Sequence, residues 1–141
     1  EHSAAVTHNH PEGIKGAQSV ALAIHLARTG ADKDQIREEI ESRFGYNLHR
    51  TLNEIRPAYQ WDSTCPGSVP ESIVAFLEST DFESTIRNAI LLGGDADTMA
   101  AIAGSIAEAY YGVPEEIAAE VRKRLPADLL DVVDRFQIYA R

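Results

Sequence analysis

Along residues 11 to 28, "PEGIKGAQSVALAIHLAR", apolar and small positions leave no polar face in the second half, and the segment starts with Pro and stops at Gly30. That pattern predicts a helix buried among other helices rather than one laid on a surface. The next segment, "DKDQIREEIESRFG", sets Ile36, Ile40 and Phe44 four apart among charges and ends at Gly45. It predicts a helix with one face in the core and the other in water. Residues 49 to 57, "HRTLNEIRP", are long enough for about two turns, and "AYQWDSTCPG" then reads as an ordered loop. Helix resumes at Ser68, where Ser68 and Glu71 have capping-box spacing, and Asp81 can cap a further helix through Leu92. After Gly93 and Gly94 come "DADTMAAIAGSIAEAYYG", "PEEIAAEVRKRL" and "PADLLDVVDRFQIYA", the last two opening on Pro. No run of β-branched residues alternates with period two. The expected fold class is therefore all-α, a compact multi-helix domain of about six to eight helices.

Composition narrows the function. With 141 residues and 44% apolar content the chain can fill one core, so residues 1–141 are expected to form part of a single domain. Acidic residues outnumber basic ones by 22 to 13, for a net charge of -9, and no basic stripe follows a phosphate backbone. Nucleic acid is not an expected partner. The longest apolar stretch, Val20 to Leu26 around His25, is far short of the roughly 20 residues of a membrane span, so no membrane partner is expected. A single cysteine, Cys65, excludes an internal disulfide and fits a reducing compartment, which points to the cytoplasm. The opening "EHSAAVTHNH" has neither the charged nor the apolar region of a signal peptide, and it reads as beginning within a longer polypeptide.

The densest chemistry lies in "LLGGDADTMAAIAGSIAEAYYG", residues 91 to 112. Met99, Ile102, Ile106 and Ala109 make one helical face, and Ala100, Gly104 and Ala107 make a second, very small one. Two neighbours can pack there, one of them closely, which fixes the helix's first turn and its Asp95, Asp97 and Thr98. Capping explains one such residue. A second carboxylate beside the first, with a hydroxyl next to it, adds like-charge repulsion that a divalent cation would relieve, and oxygen donors without His or Cys favour Mg²⁺, Mn²⁺ or Ca²⁺. On residue types alone, capping and metal binding stand about even. In "THNHPEG", spacing alone gives His8 or His10 a capping role at the helix that follows. His25 is expected to be a satisfied core histidine, and Cys65 has no neighbouring base.

Taken together, "THNHPEGIKGAQ" and, about fifty residues on, "STCPGSVPESIVAFLESTDFESTIRNAILLGGDADTMAAIAGSIAEAYYGVP" resemble the ADP-ribosylglycohydrolase family, in particular its dinitrogenase reductase-activating glycohydrolase-like bacterial members. The resemblance implies an all-α enzyme that removes ADP-ribose from modified side chains with two divalent cations, Mg²⁺ or Mn²⁺. It also implies Asp95, Asp97 and Thr98 as metal ligands, with Asp95 and Asp97 catalytic and Asp97 shared between the ions. By the same resemblance His8 contacts bound ADP-ribose, and Cys65 stands where relatives often bring a Tyr alongside the ligand. The family's Thr-Asp-Asp cluster and glycine-rich loops, which belong to an N-terminal half, have no match from Glu1 to Arg141. The chain therefore resembles the C-terminal half of such an enzyme, and a companion segment or chain is implied to complete the site. The rival expectation is a non-catalytic helical binding module or subunit that keeps the scaffold. Whether a second acidic cluster is supplied from elsewhere separates the two.

Overall fold

The structure, a computed structural model, describes residues 2–139. Its elements are α1 (His2–Ala5), α2 (Pro11–Arg28), α3 (Lys33–Phe44), α4 (Leu52–Ile55), α5 (Cys65–Leu77), α6 (Phe82–Leu92), α7 (Ala96–Tyr111), α8 (Glu115–Arg124) and α9 (Ala127–Tyr139). Every regular element among the described residues is a helix, and two of them are single turns. The last residue of the expected final helix, Ala140, lies outside the described residues.

Most helix starts follow from local side-chain chemistry. Asp32 accepts from the Gln35 amide at 2.8 Å while the Gln35 side chain accepts from the Asp32 amide at 2.9 Å, a reciprocal cap that satisfies two free donors. Thr51 with Glu54 and Asp81 with Ser84 repeat the arrangement. His10 caps α2 by accepting from the Glu12 amide at 3.3 Å, so the capping role foreseen for one histidine of "HNH" belongs to His10.

α5 departs from expectation. It starts at Cys65 rather than Ser68, with Thr64 as its cap and Pro66 in its first turn, where a missing N–H costs nothing. Ser68 lies one turn inside, its hydroxyl donating to the Thr64 carbonyl at 2.8 Å, and Glu71 turns to Arg50 instead of back to Ser68. Cys65 is thus a helical residue rather than a loop residue.

α7 is the axis of the fold. It packs against α6, α5 and α2, three neighbours rather than the two its faces suggested, and Met99, Ala103, Ile106 and Ala107 are completely buried. Gly104 explains the closest approach: a methyl group there would stand 2.8 Å from Cδ1 of Ile86 on α6. Gly16 does the same between α2 and α5, where an added Cβ would stand 3.0 Å from the Cys65 Cβ and 3.2 Å from its Sγ. α3 lays Ile36 and Ile40 on α2, both fully buried, so its one-sided pattern was read correctly. Phe76 closes the far end of the core in edge contact with Tyr110 and Tyr111, at ring separations of 5.4 and 6.1 Å. There Lys33 donates to the Leu77 carbonyl at 3.0 Å and to the Ser79 carbonyl, satisfying orphan acceptors at the end of α5.

α2 departs from the expected full burial. The small residues Gly16, Ser19, Ala23 and Ala27 form the buried stripe of α2, because small side chains admit the nearest helix approach. Its bulkier flank, Val20 and Ile24 with Ala17 and Ala21, is left to line an open cleft, and His25 is exposed rather than a core residue. α8 and α9 carry no buried residue and are joined by the ion pair of Arg122 with Asp134 at 2.5 Å.

Candidate functional site

The turn between α6 and α7 is built by two successive glycines with positive φ, Gly93 at 82° and Gly94 at 67°. In this backbone region L side chains are strained, so the sharp reversal that delivers Asp95 to the start of α7 depends on glycine. Asp95 then takes the N-cap position, and its carbonyl accepts from the Met99 amide at 2.9 Å. Its backbone differs from that of the other polar caps. Asp95 has ψ 65°, whereas His10, Asp32, Thr51, Thr64 and Asp81 lie between 137° and 178° and all accept a capping hydrogen bond. The Asp95 side chain makes no capping bond.

Asp97 follows two positions later on the first turn of α7. The side-chain hydrogen bond from Asp95, and then the amides of Thr98 and of Asp97 itself, hold the Asp97 carboxyl below its ordinary value. A divalent cation can bridge two neighbouring carboxylates with both ionised. Thr98 adds an exposed hydroxyl on the same first turn. Asp95 and Thr98 therefore present oxygen atoms that no capping bond uses, Asp97 adds a second carboxylate, and an all-oxygen set of this kind fits a hard cation. Among the described residues no group of three or more His, Cys, Asp or Glu side chains is gathered.

His8 and Cys65 meet along a second feature, a cleft of about 890 Å³ between α2, the residues before it and the start of α5. His8 and His10 stand at its rim with Glu12, while Val20, Ile24, Val69 and Ile102 supply its apolar wall. The exposed His8 ring is hydrogen-bonded through Nδ1 to the Thr7 hydroxyl at 2.9 Å, and the half-buried Cys65 packs on Gly16. The acidic turn is not part of this cleft's lining. Ile102 links them, because it follows Thr98 by one turn of α7 and residues four apart share a helix face.

Sequence reasoning missed Tyr59 and Trp61. The loop between α4 and α5 lies on the glycine turn, so that a Cβ on Gly94 would stand 2.7 Å from Cε1 of Tyr59 and 3.5 Å from Cα of Trp61. Burial, and then the charges of Glu71, Asp62 and Asp95, push the Tyr59 phenol up and keep it a neutral donor. Trp61 remains 68% exposed beside the acidic turn. Two aromatics in a polar loop were the available signal; their contact partner, about 35 residues away, was not.

A sequence model of the family described as ADP-ribosylglycohydrolase matches residues 1–141. This chain belongs to the ADP-ribosylglycohydrolase family. It is 33% identical over 113 residues to the ADP-ribosylarginine hydrolase Tri1 of Pseudomonas putida strain GB-1, covering 77% of this chain and 30% of that protein. To the ADP-ribosyl-[dinitrogen reductase] glycohydrolase of Rhodospirillum rubrum it is 29% identical over 113 residues, covering 79% of this chain and 37% of the relative. The human ADP-ribosylhydrolase ARH3 is 32% identical over 103 residues, covering 71% of this chain and 27% of that protein. The chain thus spans well under half the length of these relatives. No solved structure matches it. Among the described residues no helix is long and apolar enough to cross a membrane.

The acidic turn of this family member gives a prediction about Gly94. Gly94→Ala is expected to lose about 1–3 kcal/mol to left-handed strain and displacement of the Tyr59 ring. Gly45→Ala is the comparison, since Gly45 has the same φ of 67° with nothing near its Cβ position, and it incurs the strain alone. Denaturant unfolding of the two variants measures the difference; equal losses would mean that Tyr59 does not brace the turn.

Proposed function

We propose that this chain is the part of an ADP-ribosyl hydrolase that carries one half of a two-cation site, with Asp95, Asp97 and Thr98 as its ligands. Membership of the family and the names of its relatives support the reaction class. The observation that carries the site is the Asp95 carboxylate, which makes no capping hydrogen bond although it stands at the start of α7, with a second carboxylate and a hydroxyl on the same turn. Two divalent cations, Mg²⁺ or Mn²⁺, would supply anchorage for ribose hydroxyls and polarisation of water there.

The chain's own residues do the rest. Asp95 and Asp97 set negative charge beside the sugar carbon at which positive charge develops when the glycosidic bond breaks. His8, at the rim of the cleft, offers a ring N–H to the ADP-ribose moiety, and Cys65 borders the same space. The apolar wall of Val20, Ile24 and Ile102 keeps water from one side of the bound ligand. Two carboxylates and a hydroxyl are fewer donors than two six-coordinate ions take, so the proposal includes a companion segment or chain bearing further acidic ligands. A cytoplasmic setting belongs to the same proposal and follows from the lone, unpaired Cys65.

Trp61 makes the metal assignment measurable, since it is the single tryptophan of the sequence and lies against the acidic turn. Mn²⁺ is expected to quench its fluorescence along a saturable curve that Mg²⁺ displaces and Asp97→Asn abolishes. A Mn²⁺ response that is linear, unaffected by Mg²⁺ and unchanged by Asp97→Asn would favour the rival, a binding module without metal.

A further inference from the structure

Tyr59 ties the acidic turn to the start of α5. Its ring lies on Gly94, close enough that even a methyl group there would overlap Cε1. Its hydroxyl donates to the Gly67 carbonyl at 3.0 Å in the first turn of α5, and lies 3.3 Å from the Met99 sulfur. Met99 is fully buried and directly follows Thr98. Tyr59 therefore touches the turn on both sides of the Asp95–Thr98 stretch, at Gly94 before it and at Met99 after it.

Those contacts decide how Asp95 sits. A terminal aspartate left to itself rotates to the extended ψ of the other caps and spends its carboxylate on free amides, as Asp32 and Asp81 do here. Asp95 is held instead at ψ 65°, with Gly94 pinned under the Tyr59 ring. We infer that Tyr59 is a positioning residue for cation binding: its ring and hydroxyl hold the Gly93–Met99 turn in the shape that keeps the Asp95 carboxylate out of the helix cap and available to a divalent ion. This rests on the metal reading above and assigns to the loop between α4 and α5 the task of shaping the site.

The test is Mn²⁺ binding to the purified protein with its companion segment, stripped of metal, with free Mn²⁺ read by electron paramagnetic resonance. Tyr59→Ala, which removes ring and hydroxyl, is expected to weaken binding by about 10- to 100-fold, the range found for groups that orient metal ligands from behind. Tyr59→Phe keeps the ring on Gly94 and is expected to lose only a few-fold. Ile40→Ala is the comparison for folding, because Ile40 is buried on α3, whose main packing partner is α2. It should unfold more easily than the wild type and bind Mn²⁺ normally. Wild-type affinity in Tyr59→Ala, or the same loss in Ile40→Ala as in Tyr59→Ala, overturns the inference while leaving the metal site standing. Absence of Mn²⁺ binding by the wild type overturns the metal reading and the inference together.

Discussion

Asp97→Asn is expected to lower ADP-ribose release by more than about 100-fold, since even groups one step removed from a metal commonly cost 10- to 100-fold. The substitution keeps the size of the side chain and its place on the first turn of α7, but it removes the charge that a cation needs. The same turn in the wild type holds Asp97 ionised through the Asp95 side chain and the amides of Thr98 and Asp97. The asparagine side-chain oxygen can accept from the Thr98 and Asp97 amides as the carboxylate does, so the helix start survives and the melting temperature should move by no more than a few degrees. Rates of release measured beside a thermal melt separate the two effects. Unimpaired release by Asp97→Asn would remove Asp97 from the site.

The largest loss of stability is expected from Arg50→Ala. Glu71 is almost completely buried on α5, and Arg50 donates to both of its oxygens at 3.0 and 2.8 Å. Removing the guanidinium leaves a buried carboxylate uncompensated. Because Arg50 is itself partly exposed, the loss should be about 2–3 kcal/mol at neutral pH rather than the 3–5 typical of fully buried pairs. Its pH dependence follows from Glu71. Burial raises the Glu71 carboxyl above its ordinary 4.5, and the Arg50 hydrogen bond and charge pull it partly back. A carboxyl whose folded value is raised binds more protons folded than unfolded, so stability is greatest below its ordinary value and falls as pH rises through the folded one. Without Arg50 the folded value climbs further and that fall extends to higher pH. Urea unfolding across pH should show Arg50→Ala costing least in acid, and Glu71→Gln in the same background should recover most of the loss at neutral pH. A loss independent of pH would mean that Arg50 acts through packing alone.

How far the sequence foretells this molecule depends on the range of each interaction. Caps are local, and Asp32 and Asp81 could be read from residues three positions on. Local pattern points to Ser68 rather than Thr64 as the cap of α5 because Pro66 and Gly67 suggest a loop, although Pro suits a first helical turn. His25 was expected inside because its neighbours are apolar. The fold instead buries the small stripe of Gly16, Ser19, Ala23 and Ala27 and leaves the bulkier flank at an open cleft. Asp95, Asp97 and Thr98 stand out as residue types, yet only the structure distinguishes a capping aspartate from one that does not cap. The bracing of Gly94 by Tyr59 and the grip of Arg50 on Glu71 join positions about 35 and 21 residues apart. No local pattern carries either one.

The most direct test of the account is release of ADP-ribose from an ADP-ribosylated protein by this chain joined with the companion segment proposed above. The protein is first stripped of metal and then supplied with Mg²⁺ or Mn²⁺. The account predicts no release after stripping and recovery on adding either ion, with no recovery in Asp97→Asn. Release that persists in the chelated protein, or recovery that Asp97→Asn leaves intact, would contradict it.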